Sequence, residues 1–384
     1  MPASIPTPIS RRALLRLGAA TAAASVASVG APARAQPGKG AARVPTVVQF
    51  FDVSAAQQDV AKDFVIGSRA AWQDINAKGG VRGRAVQHTT IEVDGAAALK
   101  AALDQALDNP ACVVLSGTAG DPLATEAVRL LRGQKAALAH AAPWLQNSSL
   151  EVDDRTFPIF AARQEQIEHA LKSLSVMGMN DLGAVYATPD DERRHREDLE
   201  RVAGVLKIRL LGFRGDGDLV RLGQKLGPQT PAVLLFLGGS PELVQLTQGL
   251  EKQARQRYVV ALADVNLQTV MQMGGARSTP VIATTPVPVV TASLPVVRHY
   301  RETLARLFDE PPTPQSLAGF IAARYTYEVL GDVDGAVTRE KVLAAFQRRT
   351  GLDVGGYRIA FDNRRRSATF VTQSMLTVDG RVIG

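Results

Sequence analysis

The sequence predicts an α/β protein of two lobes, each built on a parallel sheet, and three observations lead there. From Val44 onward, short β-branched runs alternate with longer segments whose apolar residues recur at helical spacing, the pattern of βαβ units. The 384 residues suffice for two domains of ordinary size, and a hydrophobic share of 46% supplies a core for each. Charged residues make up 21% of the chain and are dispersed, so no acidic or basic tail competes with a compact reading.

The N-terminus is a separate matter. Ser10-Arg11-Arg12-Ala13-Leu14-Leu15-Arg16 precedes a mildly apolar, alanine-rich stretch over 17–29, and Ala33-Arg34-Ala35 follows before Gln36. A charged segment, an apolar segment and a small-residue cleavage site in that order read as an export signal over 1–35, cut after Ala35, and the paired arginines resemble the twin-arginine export motif. Residues 36–43, with Pro37, Gly38 and Gly40, read as a flexible lead-in. Nothing later reaches about 18 consecutive apolar residues, so no further segment should span a membrane. The formal charge of +7 includes four arginines of the first 35 residues; removing them leaves +3, too small a surplus for a nucleic-acid surface.

The first strand is Thr46-Val47-Val48-Gln49-Phe50-Phe51. A helix over 56–77 follows, with Val60, Phe64, Ala71 and Ile75 at helical spacing and Gly79-Gly80 as its stop. The chain returns as a strand over 85–93, a helix over 96–107 and a buried strand over 111–115, and a further helix leads to a strand over 136–139. A second series runs helix 164–177, strand 182–186, helix 191–205, strand 208–213, helix 218–226, strand 232–237, helix 242–255 and strand 258–262. Two similar series imply two sheets and two lobes.

Catalytic and metal chemistry find little to stand on. Cys112, the only cysteine, sits in the apolar run Ala111-Cys112-Val113-Val114-Leu115 and reads as core, and no disulfide or thiolate cage is possible within one chain. The five histidines are scattered without metal-ligand spacing, and neither a Gly-x-Ser-x-Gly elbow nor a phosphate-binding loop is present. His195, in Glu192-Arg193-Arg194-His195-Arg196, reads as part of a solvated helix face, and Asp362-Asn363-Arg364-Arg365-Arg366 as a solvated hairpin turn. No enzyme activity and no cofactor are expected.

Gly67-Ser68-Arg69-Ala70-Ala71-Trp72-Gln73-Asp74-Ile75-Asn76-Ala77-Lys78-Gly79-Gly80-Val81-Arg82-Gly83-Arg84 resembles the early helix and glycine turn of type I periplasmic binding proteins, in the leucine/isoleucine/valine-binding branch. The resemblance continues at Thr313-Pro314-Gln315-Ser316-Leu317-Ala318-Gly319-Phe320, at Thr338-Arg339-Glu340-Lys341-Val342-Leu343 and at Asp379-Gly380-Arg381-Val382, and covers essentially all of the chain after the signal. It implies two Rossmann-like lobes joined by three crossovers, near 158–163, 284–289 and 351–357. Lobe 1 would then comprise 44–160 and 286–352, and lobe 2 would comprise 161–285 and 353–384. It further implies a monomer that closes on a small organic solute, an amino acid or a related carboxylate or amide, and delivers it to an ABC permease in the inner membrane. The same clam-like closure also suits a sensory module that signals to a membrane receptor.

In parallel α/β lobes ligands bind beyond the carboxyl ends of strands, which directs the search to the post-strand loops. By resemblance, Gly117, Thr118 and Ala119 occupy the loop that offers amides and hydroxyls to a ligand carboxylate, with Thr118 foremost; an ordinary turn or cap is the alternative. Ser54 and Gln57 occupy the other first-lobe binding loop, and Ser54 suits a helix cap equally. Trp144 and Gln146 follow in the next loop, where Trp144 is either an apolar wall or hinge packing. In the second lobe Tyr186, Gly239 and Asp264 end their strands, and Asp264 either balances a ligand ammonium or starts a helix. The chain departs from the family pattern at Gln164-Glu165-Gln166, after the arginine corresponding to Arg163, and at Thr188-Pro189-Asp190-Asp191-Glu192; recognition of a branched-chain amino acid therefore does not carry over.

Overall fold

The computed structural model describes residues 44–134, 137–275, 278–367, 370–377 and 382–384. The expected export signal and lead-in lie outside the described residues. In lobe 1, β1 (Thr46–Asp52), α1 (Gln58–Ala77), β2 (Gln87–Val93), α2 (Gly95–Asp108), β3 (Cys112–Ser116), α3 (Asp121–Arg132), β4 (Ala139–Ala141) and β5 (Thr156–Phe157) follow in order. Their sheet runs β2-β1-β3-β4-β5, parallel throughout. All five residues of β3 are buried, Cys112 among them, because helices cover both faces of the sheet.

Lobe 2 contains α4 (Arg163–Val176), β6 (Asp181–Tyr186), α5 (Pro189–Leu206), β7 (Arg209–Arg214), α6 (Leu219–Lys225), β8 (Val233–Leu237), α7 (Ser240–Leu250), β9 (Tyr258–Ala261), α8 (Leu267–Gln272) and β10 (Val281–Thr285). The chain then returns to lobe 1 as α9 (Pro295–Leu307), α10 (Pro314–Gly331), α11 (Arg339–Gln347) and the hairpin β11 (Leu352–Val354) and β12 (Tyr357–Ile359). Finally β13 (Thr372–Leu376) and β14 (Val382–Ile383) join lobe 2 as antiparallel edge strands, giving the order β14-β13-β10-β9-β8-β6-β7.

Most elements up to β9 lie within a few residues of the spans read from sequence. The strand expected at 136–139 is instead β4, because a run of alanines carries no periodic signal that fixes its bounds. Helix α7 stops at Leu250 rather than 255, since 251–257 contain no apolar residue but Ala254 to hold another turn against the core. The third crossover is also corrected. It falls between Ile359 and Thr372, not at 351–357, because Val354, Tyr357 and Ile359 are buried in the lobe 1 core. Tyr357 Oη further ties the hairpin to the first crossover by donating to Ile159 O at 2.8 Å. Arg366, expected in a solvated turn, is 5% exposed and donates to the carbonyls of Leu145, Asn147 and Leu150, bracing the loop after β4.

Two glycines set the lobe 1 interior. An added Cβ on Gly67 would lie 1.7 Å from Ser316 O, and one on Gly319 would lie 1.8 Å from Phe64 O, so α1 and α10 cross at backbone contact. Ser68 Oγ donates across that crossing to Gly319 O at 3.1 Å. The glycine stop after α1 is equally specific: Gly80 has φ +69°, and a Cβ there would meet Arg84 O at 2.0 Å.

Candidate functional site

Each sheet reverses its strand order once, between β1 and β3 in lobe 1 and between β6 and β8 in lobe 2. Ligands of open α/β sheets bind beyond the carboxyl ends of the strands at such reversals. The loops after these four strands line one cavity of about 130 Å³ between the lobes: Gln57 follows β1, Asp121 follows β3, Thr188 and Asp190 follow β6, and Gly239 follows β8. A larger cavity of about 610 Å³ opens along α1, α8 and the loop near Pro311. We place the site in the smaller one, where both switch points converge.

An ion triad bridges the lobes at this cavity. Arg163, the first residue of α4 and 5% exposed, reaches Asp121 Oδ2 at 3.2 Å in lobe 1 and Asp264 in lobe 2, through Nη2 to Oδ1 at 3.0 Å and to Oδ2 at 2.9 Å. Burial opposes the Arg163 charge, but the Asp264 and Asp121 carboxylates outweigh it and hold the guanidinium pKa above its ordinary value. Asp121 Oδ1 accepts from the backbone N–H groups of Gln146 at 2.7 Å and Asn147 at 2.9 Å, while Gln57 Oε1 accepts from Asp121 N–H at 3.3 Å. Asp121 thereby ties its own loop after β3 to the loop after β4 through its carboxylate and to the loop after β1 through its backbone N–H.

Lobe 2 adds further charge. Thr188 and Asp191 form a reciprocal capping box at the start of α5, which fixes Asp191 beside the cavity. Burial, and then the charge of Asp264, raise the Asp191 pKa despite the Thr188 hydrogen bond. His195, one turn on, is 3% exposed, and burial followed by Arg163 and Arg194 pushes its pKa well below the ordinary value, so its imidazole is neutral near pH 7. His195 Nδ1 and Glu242 Oε2 are buried without a hydrogen-bond partner among the described residues.

The ten residues anticipated from sequence separate into two groups. Gln57, Gly239 and Asp264 line the cavity. Asp264 neither starts a helix nor stands free, since Asn266 caps α8 and Asp264 grips Arg163. The others are absent from the lining. Gly117 and Ala119 donate their N–H groups to Ala141 O and Phe50 O, and Thr118 is fully buried with Oγ1 2.8 Å from His140 Nε2. Trp144 packs edge-on to Phe64 and against Phe160, at centroid distances of 5.7 and 5.4 Å. Gln146, 1% exposed, accepts at Oε1 from Gln166, and Tyr186 sits in the core between α4 and α5. Ser54 makes no side-chain cap; its carbonyl accepts from Gln57 and Gln58.

Sequence reasoning passed over Asp121, Arg163, Asp191, Glu242 and His195 as site residues. For His195 a signal existed: it precedes the buried Leu199 and Val202 by four and seven residues, which places it on the inner face of α5 rather than the solvated one.

These features define a two-lobed binding protein whose cleft is built from post-strand loops. The model of the periplasmic binding protein family matches residues 46–378, and the chain belongs to that family. Its fold is the type I periplasmic binding protein fold. An extracellular ligand-binding receptor of Verminephrobacter eiseniae is similar at 18% identity and a TM-score of 0.78, over 89% of this chain and 100% of that one. A possible leucine/isoleucine/valine-binding protein of Rhodopirellula baltica is similar at 16% identity and 0.75, over 90% and 98%. A fatty acid ABC transporter substrate-binding protein of Thermomonospora curvata is similar at 14% identity and 0.72, over 88% and 90%. A search of curated proteins finds no match to the chain.

Proposed function

We propose that this protein captures a small organic solute between its lobes in the periplasm and delivers it to an ABC permease. The observation that carries the reading is the cavity where the loops after β1, β3, β6 and β8 meet, bridged by Arg163 from Asp121 to Asp264. A solute held there contacts both lobes at once and so favours the arrangement in which they meet, which a transporter can distinguish from separated lobes. Gln57, Asp191, His195, Gly239, Glu242 and Asp264 are the residues we assign to solute contact. Arg163 holds the two walls in register. Export follows from the arginine-led leader, and the protein works as a monomer without catalysis.

The test is a thermal unfolding screen of the full chain against amino acids, amides, aromatic acids, dicarboxylates and small amines. A ligand that binds only the folded state raises the midpoint by mass action. A rise confined to one chemical class, saturating with concentration, is the expected result; no rise with any class defeats solute capture.

A further inference from the structure

The cavity carries more negative charge than its own side chains neutralise. Five carboxylates line it against two guanidinium groups. Arg163 is shared between Asp121 and Asp264, which leaves that triad one charge negative. Arg194 is engaged by Asp190, which Arg193 also reaches. Asp191 makes no ion pair with a guanidinium within 4 Å among the described residues, although the Arg194 charge acts on it, and Glu242 has no ion pair among them. The α7 N-terminus offsets part of the Glu242 charge, the equivalent of about half an elementary charge at most.

A second observation points to a donor-rich occupant. His195 lines the cavity, is 3% exposed and keeps Nδ1 without a partner among the described residues. Its Nε2 lies 3.9 Å from Asp191 Oδ1, and with the ring neutral one nitrogen carries the proton while the other can accept a hydrogen bond. Glu242 Oε2 is likewise a buried acceptor without a donor. A buried acceptor left unmade costs about 1–3 kcal/mol, so these groups gain most from a ligand that brings N–H donors. Arg163 Nε is a buried donor without a partner among the described residues.

Size and lining narrow the class. About 130 Å³ is the room of roughly four water molecules, at about 30 Å³ each. The lining offers no apolar side chain beyond Ala56 and Pro122, which gives no seat for a branched or acyl chain. No group of three or more histidine, cysteine, aspartate or glutamate side chains converges as a metal site among the described residues.

Resting on the capture reading above, we infer that the solute is a small organic cation, an ammonium bearing few other heavy atoms, received by Asp191, His195 and Glu242. The probes are ethylammonium and ethanolamine, set against acetate, urea and leucine, each titrated into the full chain while the unfolding midpoint is followed. We expect both amines to raise the midpoint by several degrees. The rise shrinks as sodium chloride is added. It falls at least tenfold in apparent affinity in Glu242→Gln and in Asp191→Asn, whose ligand-free far-UV circular dichroism matches the parent; either variant suffices should the other fail to fold. A rise with acetate, urea or leucine and none with the amines overturns the cation inference while leaving capture in place. A rise with the amines that both folded variants retain also overturns it, because the binding then lies elsewhere. No rise with any probe overturns the cation inference, and capture falls only if the broader panel is silent too.

Discussion

On the lobe 1 side of the cavity, the loop after β3 uses its polar groups internally: Gly117 and Ala119 donate to neighbouring strands, and Thr118 is paired with His140. On the lobe 2 side, the starts of α5 and α7 bring Asp191, His195 and Glu242 to the same cavity with acceptors left over. In the loop after β3 the polar groups are paired within the fold, whereas the lobe 2 side keeps acceptors at the cavity. On the capture reading proposed above, ligand choice would rest mainly on lobe 2, where the chain departs from its family's pattern.

The largest expected effect comes from cutting the one link the walls share. Arg163→Ala leaves the Asp121 and Asp264 carboxylates buried without their cation, and breaking such a set by removing one partner costs about 3–5 kcal/mol. Chemical denaturation should show that loss, and Arg163→Ala with Asp264→Ala should lose less than the two single losses added. An additive result would mean that the triad does not act as a unit.

The helices separate the lobes as sharply as the loops do. Gly319→Ala in α10 drives a Cβ to 1.8 Å from Phe64 O in lobe 1, and overpacking of this kind costs about 1–3 kcal/mol or more. Gly204→Ala in α5 meets no atom within 4 Å and should stabilise lobe 2 by about 0.5–1 kcal/mol, the helix-interior difference between the residues. Unfolding midpoints of the two variants should therefore move in opposite directions.

Thr118→Ala distinguishes a finished wall from a binding one. It removes the hydroxyl that pairs with His140, whose pKa burial pushes down to about 4 and whose Nδ1 already lacks a partner among the described residues. Leaving Nε2 unpaired as well should cost about 1–3 kcal/mol of stability, while solute affinity at the native state stays within twofold. A drop in affinity at unchanged stability would restore Thr118 as a ligand contact.

The contrast also explains what could be read from sequence. The strand β8 and the first four residues of β3 are continuous apolar runs, and the glycine stop at Gly79-Gly80 has a single steric meaning, so the sheets and the early turn are legible in the sequence. Gln57, Gly239 and Asp264 reach the cavity lining because a loop after a strand has only one end of the sheet to occupy. Arg163, Asp121 and Asp264 were not legible as a triad, since they are separated by 42 and 101 residues and only the folded crossover joins them. The Thr118–His140 contact was hidden for a related reason: a hydroxyl in a post-strand loop looks the same in sequence whether it faces a solute or a buried histidine.

The smallest expected effect is a pH dependence at a seam beside the cavity, where lobe 1 carboxylates meet lobe 2 donors. Asp59 accepts from Ser240 Oγ of lobe 2 at 2.5 Å, and Asp63 accepts from Asn266 Nδ2 of lobe 2 at 2.8 Å and, within lobe 1, from Thr313 Oγ1 at 2.7 Å. Burial raises both pKa values above the ordinary 3.8 in spite of these bonds, so each carboxyl binds its proton more tightly folded than unfolded. The sign follows from linkage: the contribution to stability is complete below pH 3.8 and is lost as pH rises through the raised values. Asp59→Asn and Asp63→Asn should each flatten that part of the profile of unfolding midpoint against pH, and the double variant should flatten it further. Gln57, on the cavity side, has no proton to exchange, so Gln57→Ala should leave the slope as it was. A slope untouched by both aspartate variants would place the charge cost of closure in the cavity, with Asp191, rather than in the seam.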